Sequence, residues 1–114
     1  ALAGQRYRHA LEIGCAHGVL TQQLLSLCDR LLAIDISKSA LHLARQRLGD
    51  QSGLELVQMA FPREAPQGCF DLCVLSEVAY YWDRSDLAAA AAWLDQHVET
   101  GGRVLLVHYT GETA

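Results

Sequence analysis

The chain has 114 residues and a formal net charge of -4, with 51% of its residues hydrophobic and 19% charged. That length suits a single domain with a core of its own, and its nine basic residues are scattered, with only Arg6/Arg8 and Arg45/Arg47 close together, so no basic patch offers itself to a nucleic-acid backbone. No apolar run nears the roughly 20 residues a membrane helix needs, and the opening ALAGQRYRHA lacks the apolar centre of a signal peptide; a cytoplasmic protein that meets neither membrane nor nucleic acid is expected.

In chain order, apolar runs bounded by turn residues alternate with helical patterns. The first strand is predicted at His9–Gly14, a helix from about Gly18 to Cys28, and a second strand at Leu31–Ile36. A helix follows at Lys38–Leu48, with Leu41, Ala44 and Leu48 at helical spacing on its inner face. Strands are then expected at Leu54–Met59 and Phe70–Ser76, a helix from about Asp86 to Val98, and a last strand at Arg103–His108. Ser37 and Ser85 are the expected helix N-caps, because a short hydroxyl accepts an orphan backbone N–H. Leu87, Ala91, Leu94 and Val98 are the expected buried face of the last helix. Strands such as LLAIDI and DLCVLS are apolar almost throughout, the mark of parallel strands covered on both faces. The fold class is therefore α/β, a Rossmann-like doubly wound parallel sheet.

The strand order 3-2-1-4-5 sets one connection a test. Residues 60–69 contain Pro62 and Pro66 and are too few for a full crossover helix. Crossing three strand spacings covers roughly 14 Å while returning about 18 Å along the strands. Ten extended residues reach about 33 Å. The link is feasible without a helix.

Four cysteines, Cys15, Cys28, Cys69 and Cys73, include no C-x-x-C pair. They read as free, largely buried thiols of a reducing compartment, and no metal site is expected.

The sharpest motif is LEIGCAHG, where the first strand enters a tight turn before a helix. Gly14 and Gly18, with Ala16 between them, leave room for a ligand to approach the backbone. The spacing departs from the G-x-G-x-x-G that aims a helix N-terminus at a pyrophosphate. Glu12, just before the turn, suits a cation better than a phosphate. S-adenosylmethionine, which carries an ammonium and a sulfonium, meets that requirement. Asp35 ends the second strand 21 residues after Gly14, where a carboxylate can accept both ribose hydroxyls; Ile36 then covers one face of an adenine. Asp35 alone does not separate S-adenosylmethionine from NAD, and as a first-turn charge it would equally favour a helix dipole.

In this order, Glu12-x-Gly14-x-x-x-Gly18, Asp35, FDLCVLSEV (Phe70–Val78) and TGGRVLLV (Thr100–Val107) resemble the class I S-adenosylmethionine-dependent methyltransferases. Within them, SEVAYYW followed by VLLVHYTG is similar to the nodulation-factor N-methyltransferases and their relatives, which act on amino sugars or other small molecules. The resemblance implies that Glu12, Gly14, Cys15, Ala16, His17 and Gly18 hold the methionine end and Asp35 the ribose. It sets Met59, Ala60 and Phe61 along the adenine, although the acidic residue common in the family is replaced there by Met59 or Ala60. Ser76, Glu77 and Val78 would face the methyl-transfer site, with Tyr81 over the sulfonium or acceptor. Glu77 and His108, at strand ends, are the candidate catalytic bases. The family core continues after its fifth strand with a helix and a β-hairpin, so residues 1–114 are expected to form a partial core. A partner chain or a missing segment is then expected to cover strand 5.

Two other readings stay open. A nucleotide-dependent oxidoreductase would need a further glycine and a Tyr-x-x-x-Lys, neither of which occurs. A cofactor-binding or interaction domain without catalysis needs neither. A nucleic-acid acceptor is disfavoured by Ser76-Glu77-Val78-Ala79, which stands where such enzymes carry an Asn- or Asp-Pro-Pro-aromatic motif.

Overall fold

A computed structural model describes residues 4–76 and 82–107. The elements run β1 (Tyr7–Ile13), α1 (Val19–Leu25), β2 (Cys28–Asp35), α2 (Lys38–Leu48), β3 (Leu54–Gln58), β4 (Phe70–Ser76), α3 (Arg84–His97) and β5 (Val98–Val107). The five strands form one parallel sheet in the order β3-β2-β1-β4-β5. β1 lies at its centre, with Glu12 opposite Ala33 of β2 and Val74 of β4. The order reverses at β1, so a crevice opens at the carboxyl ends of the strands, where α/β sheets bind ligands.

Side chains alternate between two buried faces, as the unbroken apolar strands require. Leu11, Ile13, Leu32, Ile34, Phe70, Cys73 and Leu75 pack toward Ala90 and Trp93 of α3, with Phe61 among them. Tyr7, Ala10, Leu31, Leu72 and Val74 pack on the opposite face against Leu24 of α1, and Ala33 with Leu41 of α2. Burying a Leu or Phe side chain contributes about 1.5–3 kcal/mol, so these two layers carry most of the stabilisation. Among the described residues no helix is long and apolar enough to cross a membrane.

Several boundaries depart from the sequence expectation. α1 ends at Leu25, and Cys28 opens β2 instead of closing the helix. Ser37 caps α2, its hydroxyl accepting the Ala40 N–H at 3.1 Å. Ser85 does not cap α3. That role belongs to Asp83, which accepts the Asp86 N–H at 2.8 Å while the Asp86 carboxylate accepts the Asp83 N–H, a reciprocal capping box. Of the expected inner face of α3, Leu94 and Val98 pack against the core, but Leu87 and Ala91 are exposed and Ala90 is buried in their stead. β5 starts directly after α3, and its pairing with β4 jumps from Phe70↔Val98 to Leu72↔Arg103, a bulge that absorbs Glu99–Gly102.

The β3–β4 link holds no helix. It is tied to α3 instead: the Trp93 indole N–H donates to the Pro66 carbonyl at 3.2 Å, and His97 Nδ1 is hydrogen-bonded to the Gly68 carbonyl at 2.7 Å. Phe61 packs edge-on to Trp93 at 5.2 Å between centroids. These contacts hold residues 59–63 at the carboxyl end of the sheet.

Candidate functional site

β1 turns sharply at Gly14, whose N–H reaches across to the Ile34 carbonyl at 2.8 Å, joined there by the Cys15 N–H at 3.1 Å. Gly14 has φ 85° and Gly18 φ 88°, in the left-handed region that glycine enters without a steric cost. Ala16 sits there as well, at φ 50°. Its N–H donates to Asp35 Oδ2 at 2.9 Å, and Asp35 Oδ1 accepts the Ser37 N–H at 2.9 Å. One carboxylate therefore fastens the glycine turn to the start of α2. The Asp35 carbonyl accepts the Met59 N–H at 3.0 Å, which brings the end of β3 to the same place.

A cleft of about 690 Å³ lies among these ends. Gly14, Ala16, Asp35, Ile36, Met59, Ala60, Phe61 and Ser76 line it, all residues singled out by the sequence. Ile36, 68% exposed, turns an apolar surface into the cleft. The Ala60 N–H is taken by Glu64 Oε1 at 2.8 Å.

Three other residues of the glycine turn do not line the cleft. The Cys15 side chain is buried beside Ala33 and Leu41, and that burial, with Glu12 and Asp35 nearby, pushes its thiol up to about 12. His17 is exposed, and its carbonyl accepts Arg47 Nε at 3.1 Å. Gly18 lies against α2, where an added Cβ would come within 3.1 Å of Leu48 Cδ1. Glu77, Val78, Tyr81 and His108 lie outside the described residues. The cleft also has a wall that motif reading did not supply: Arg63, Trp82 and Asp86, with Arg63 Nε 3.7 Å from Asp86 Oδ1. Nothing in the local sequence marks them, because the crossing of the β3–β4 link over the start of α3 brings them together.

Glu12 lies just beneath the turn and is 1% exposed. Thr21 of α1 donates its hydroxyl to Glu12 Oε1 at 2.5 Å, while Oε2 is buried without a partner among the described residues. Desolvation, opposed by the Thr21 hydrogen bond and reinforced by Asp35, raises its carboxyl to about 7. Ser76 Oγ is a second buried polar atom without a partner among the described residues. Such orphans are rare in folded chains and mark places where a missing group completes the hydrogen bonding. Among the described residues no cluster of His, Cys, Asp and Glu is arranged to hold a metal ion.

Comparison with known proteins agrees with this geometry. A family model described as a methyltransferase domain matches residues 11–104. The chain is 40% identical over 72 residues to Nodulation protein S of Bradyrhizobium diazoefficiens, an alignment covering 63% of this chain and 34% of that protein. Among solved structures, the N-methyltransferase NodS from Bradyrhizobium japonicum, in complex with S-adenosyl-L-homocysteine, superposes with a TM-score of 0.84 at 30% identity, over 92% of this chain and 54% of that one. A candidate methyltransferase from Pseudomonas syringae superposes at 0.81 with 40% identity, over 93% of this chain and 67% of that one. The chain thus spans about a third of the curated relative and about half of the NodS structure.

Proposed function

Because the chain belongs to the methyltransferase domain family, we propose that it is the S-adenosylmethionine-binding core of a longer enzyme that methylates a small-molecule acceptor. The likeness to NodS favours an amine as that acceptor, an amino sugar among the candidates. The observation that carries the reading is the Asp35 carboxylate at the cleft floor, fixed by two backbone N–H groups between the glycine turn and α2. An anchored carboxylate keeps lone pairs for a ribose diol, and it is already oriented before a ligand arrives. The orphaned Glu12 and Ser76 atoms fit the methionine end, and exposed Ile36 with Met59 and Phe61 fits a purine. With no acid at Ala60, adenine is held mainly by these apolar contacts. Cys15, His17 and Gly18 act through the shape of the turn.

S-adenosylmethionine supplies a methyl group already activated by a sulfonium. The protein's part is to align an acceptor in line with it and to exclude water, and alignment is worth about 7–11 kcal/mol at best. An amine acceptor must be unprotonated to attack, so Glu77 and His108 are the proposed bases. Val78 and Tyr81 complete the proposed wall around the methyl group. The outer edge of β5, where Leu106 is 74% exposed, is proposed to be covered by further polypeptide of the full-length protein, of which the relatives have a greater length.

Calorimetric titration with S-adenosylmethionine and with NAD, on the natural chain and on Asp35→Ala, tests the reading. S-adenosylmethionine is expected to bind and NAD not to. Asp35→Ala should weaken binding at least about tenfold, since a hydrogen bond to a charged group contributes about 1.5–3 kcal/mol. Binding of NAD alone, or of neither ligand, would overturn the assignment.

A further inference from the structure

Glu12 is held in a way that a permanently ionised carboxylate would not tolerate. It points to the α1 face of the sheet, in register with Ala33 and Val74, and among the described residues it meets a single hydrogen-bond donor, Thr21. α1 spans VLTQQLL and brings no titratable side chain. β2 offers Ala33 beside it and the negative Asp35 at the strand end; β4 offers Val74 and, two residues on, the Ser76 hydroxyl. The turn adds the Cys15 thiol and the exposed His17, and from α2 Arg45 acts on Cys15. No cation pairs with Glu12 among the described residues. Its second oxygen has no partner among the described residues.

Ser76 lines the cleft, and it lies on the same face of the sheet as Glu12, on the neighbouring strand and two residues beyond the register partner Val74. A cation seated at Ser76 therefore comes within about two strand spacings of the Glu12 carboxyl. At an effective dielectric constant of about 20, a unit charge some 9 Å away shifts an ionisation equilibrium by about twentyfold.

We infer that Glu12 is the charge-reading residue of the site, neutral in the empty cleft and ionised, with its proton released to solvent, when a cationic ligand is seated. This rests on the S-adenosylmethionine reading above and deepens it. S-adenosylmethionine carries the sulfonium charge, and S-adenosylhomocysteine has lost it along with the methyl group. The Glu12 carboxylate therefore favours the methyl donor, and its reprotonation accompanies release of the demethylated product. Burial, which raises the carboxyl to about 7, places this exchange in the neutral range.

The test is calorimetric titration of the chain with each of these two ligands between pH 5.5 and 7.0, in two buffers of different ionisation enthalpy. The upper limit stays below the titration of the ligands' own α-amino group. S-adenosylmethionine binding is expected to release about half a proton per site at pH 7 and to tighten about sixfold from pH 5.5 to 7.0. S-adenosylhomocysteine should show a smaller change, and Glu12→Gln should abolish the slope for both. Binding without proton release, or a slope that persists in Glu12→Gln as it would if His17 were responsible, overturns the inference and leaves the cofactor reading standing. No binding of S-adenosylmethionine overturns both. Should Glu12→Gln fail to fold, carboxyl carbon NMR of the natural chain decides: the Glu12 signal must titrate near neutrality alone and move to acid pH when S-adenosylmethionine is added.

Discussion

Two carboxyl groups at opposite ends of the sheet respond to acid in opposite directions. Asp71, at the start of β4, accepts the Arg8 N–H at 2.8 Å and the His9 N–H at 3.0 Å. Burial alone would raise it, but those hydrogen bonds and the Arg8 charge hold it below the usual aspartate value. Its stabilising effect is therefore present above that value and is lost as the pH falls. Glu12 behaves the other way. The unfolded chain titrates it near 4.5 and the folded chain near 7, so between those values the folded chain binds more protons and stability falls as pH rises. A shift of this size corresponds to about 3 kcal/mol, fully lost above pH 7. Urea unfolding at pH 5 and pH 8 should show the natural chain less stable at the higher pH, and Glu12→Gln should remove most of the difference. Equal midpoints for the natural chain at both pH values would show that the carboxyl is not held neutral. The same group that loosens the fold at neutral pH is thus the one poised to meet a cation there, a stability cost of the kind active sites retain.

At the scale of elements, the seam between the glycine turn and α2 is tight enough to test. Gly18 has φ 88°, and a Cβ added there would meet Leu48 Cδ1 at 3.1 Å and Ala44 Cβ at 3.2 Å. Leu48 and Ala44 are themselves buried against the sheet, so they have little room to yield. Gly18→Ala should lower stability by about 1–3 kcal/mol, from the left-handed conformation and the crowding together. An unchanged urea midpoint would show that the seam has slack. This turn, the strands and α2 were legible in the sequence because each leaves a local mark: glycines at a strand end, unbroken apolar runs, and Leu41, Ala44 and Leu48 at helical spacing. The face of α3 was legible only at Leu94 and Val98, since Ala88–Ala92 offers no contrast in size or polarity and the docking of Trp93 under Phe61 sets the rotation. Its cap was legible in principle: Asp83 and Asp86 stand at the spacing of a capping box, and Ser85 drew attention from them. The bulge in β5 depends on a partner strand and leaves no signal of its own. Arg63, Trp82 and Asp86 reach the cleft only through tertiary packing, whereas Gly14, Asp35 and Ile36 are fixed there by chain continuity from β1 and β2.

For the whole molecule, the sheet is protected at one edge and, among the described residues, uncovered at the other. β3 at one edge is short and carries Glu55 and Gln58, while α2 packs along it and Arg45 donates to the Leu56 carbonyl at 3.0 Å. Charges and a short span are how edge strands avoid unwanted pairing. β5 at the other edge is longer, and its second half, RVLLV, exposes Val104 at 44% and Leu106 at 74%, with Leu87 of α3 at 47%. An apolar outer edge of that length is a site for added strands. If further polypeptide of the full-length protein covers it, the 114-residue chain alone should satisfy it by pairing with copies of itself. Sedimentation of the isolated chain should then show association that grows with concentration, and Leu106→Lys should suppress it without changing the unfolding free energy by more than about 0.5 kcal/mol, as expected for an exposed position. A chain that stays monomeric at high concentration would mean that this edge needs no cover, and the proposal that further polypeptide completes the sheet would fall while the cleft at its centre is untouched.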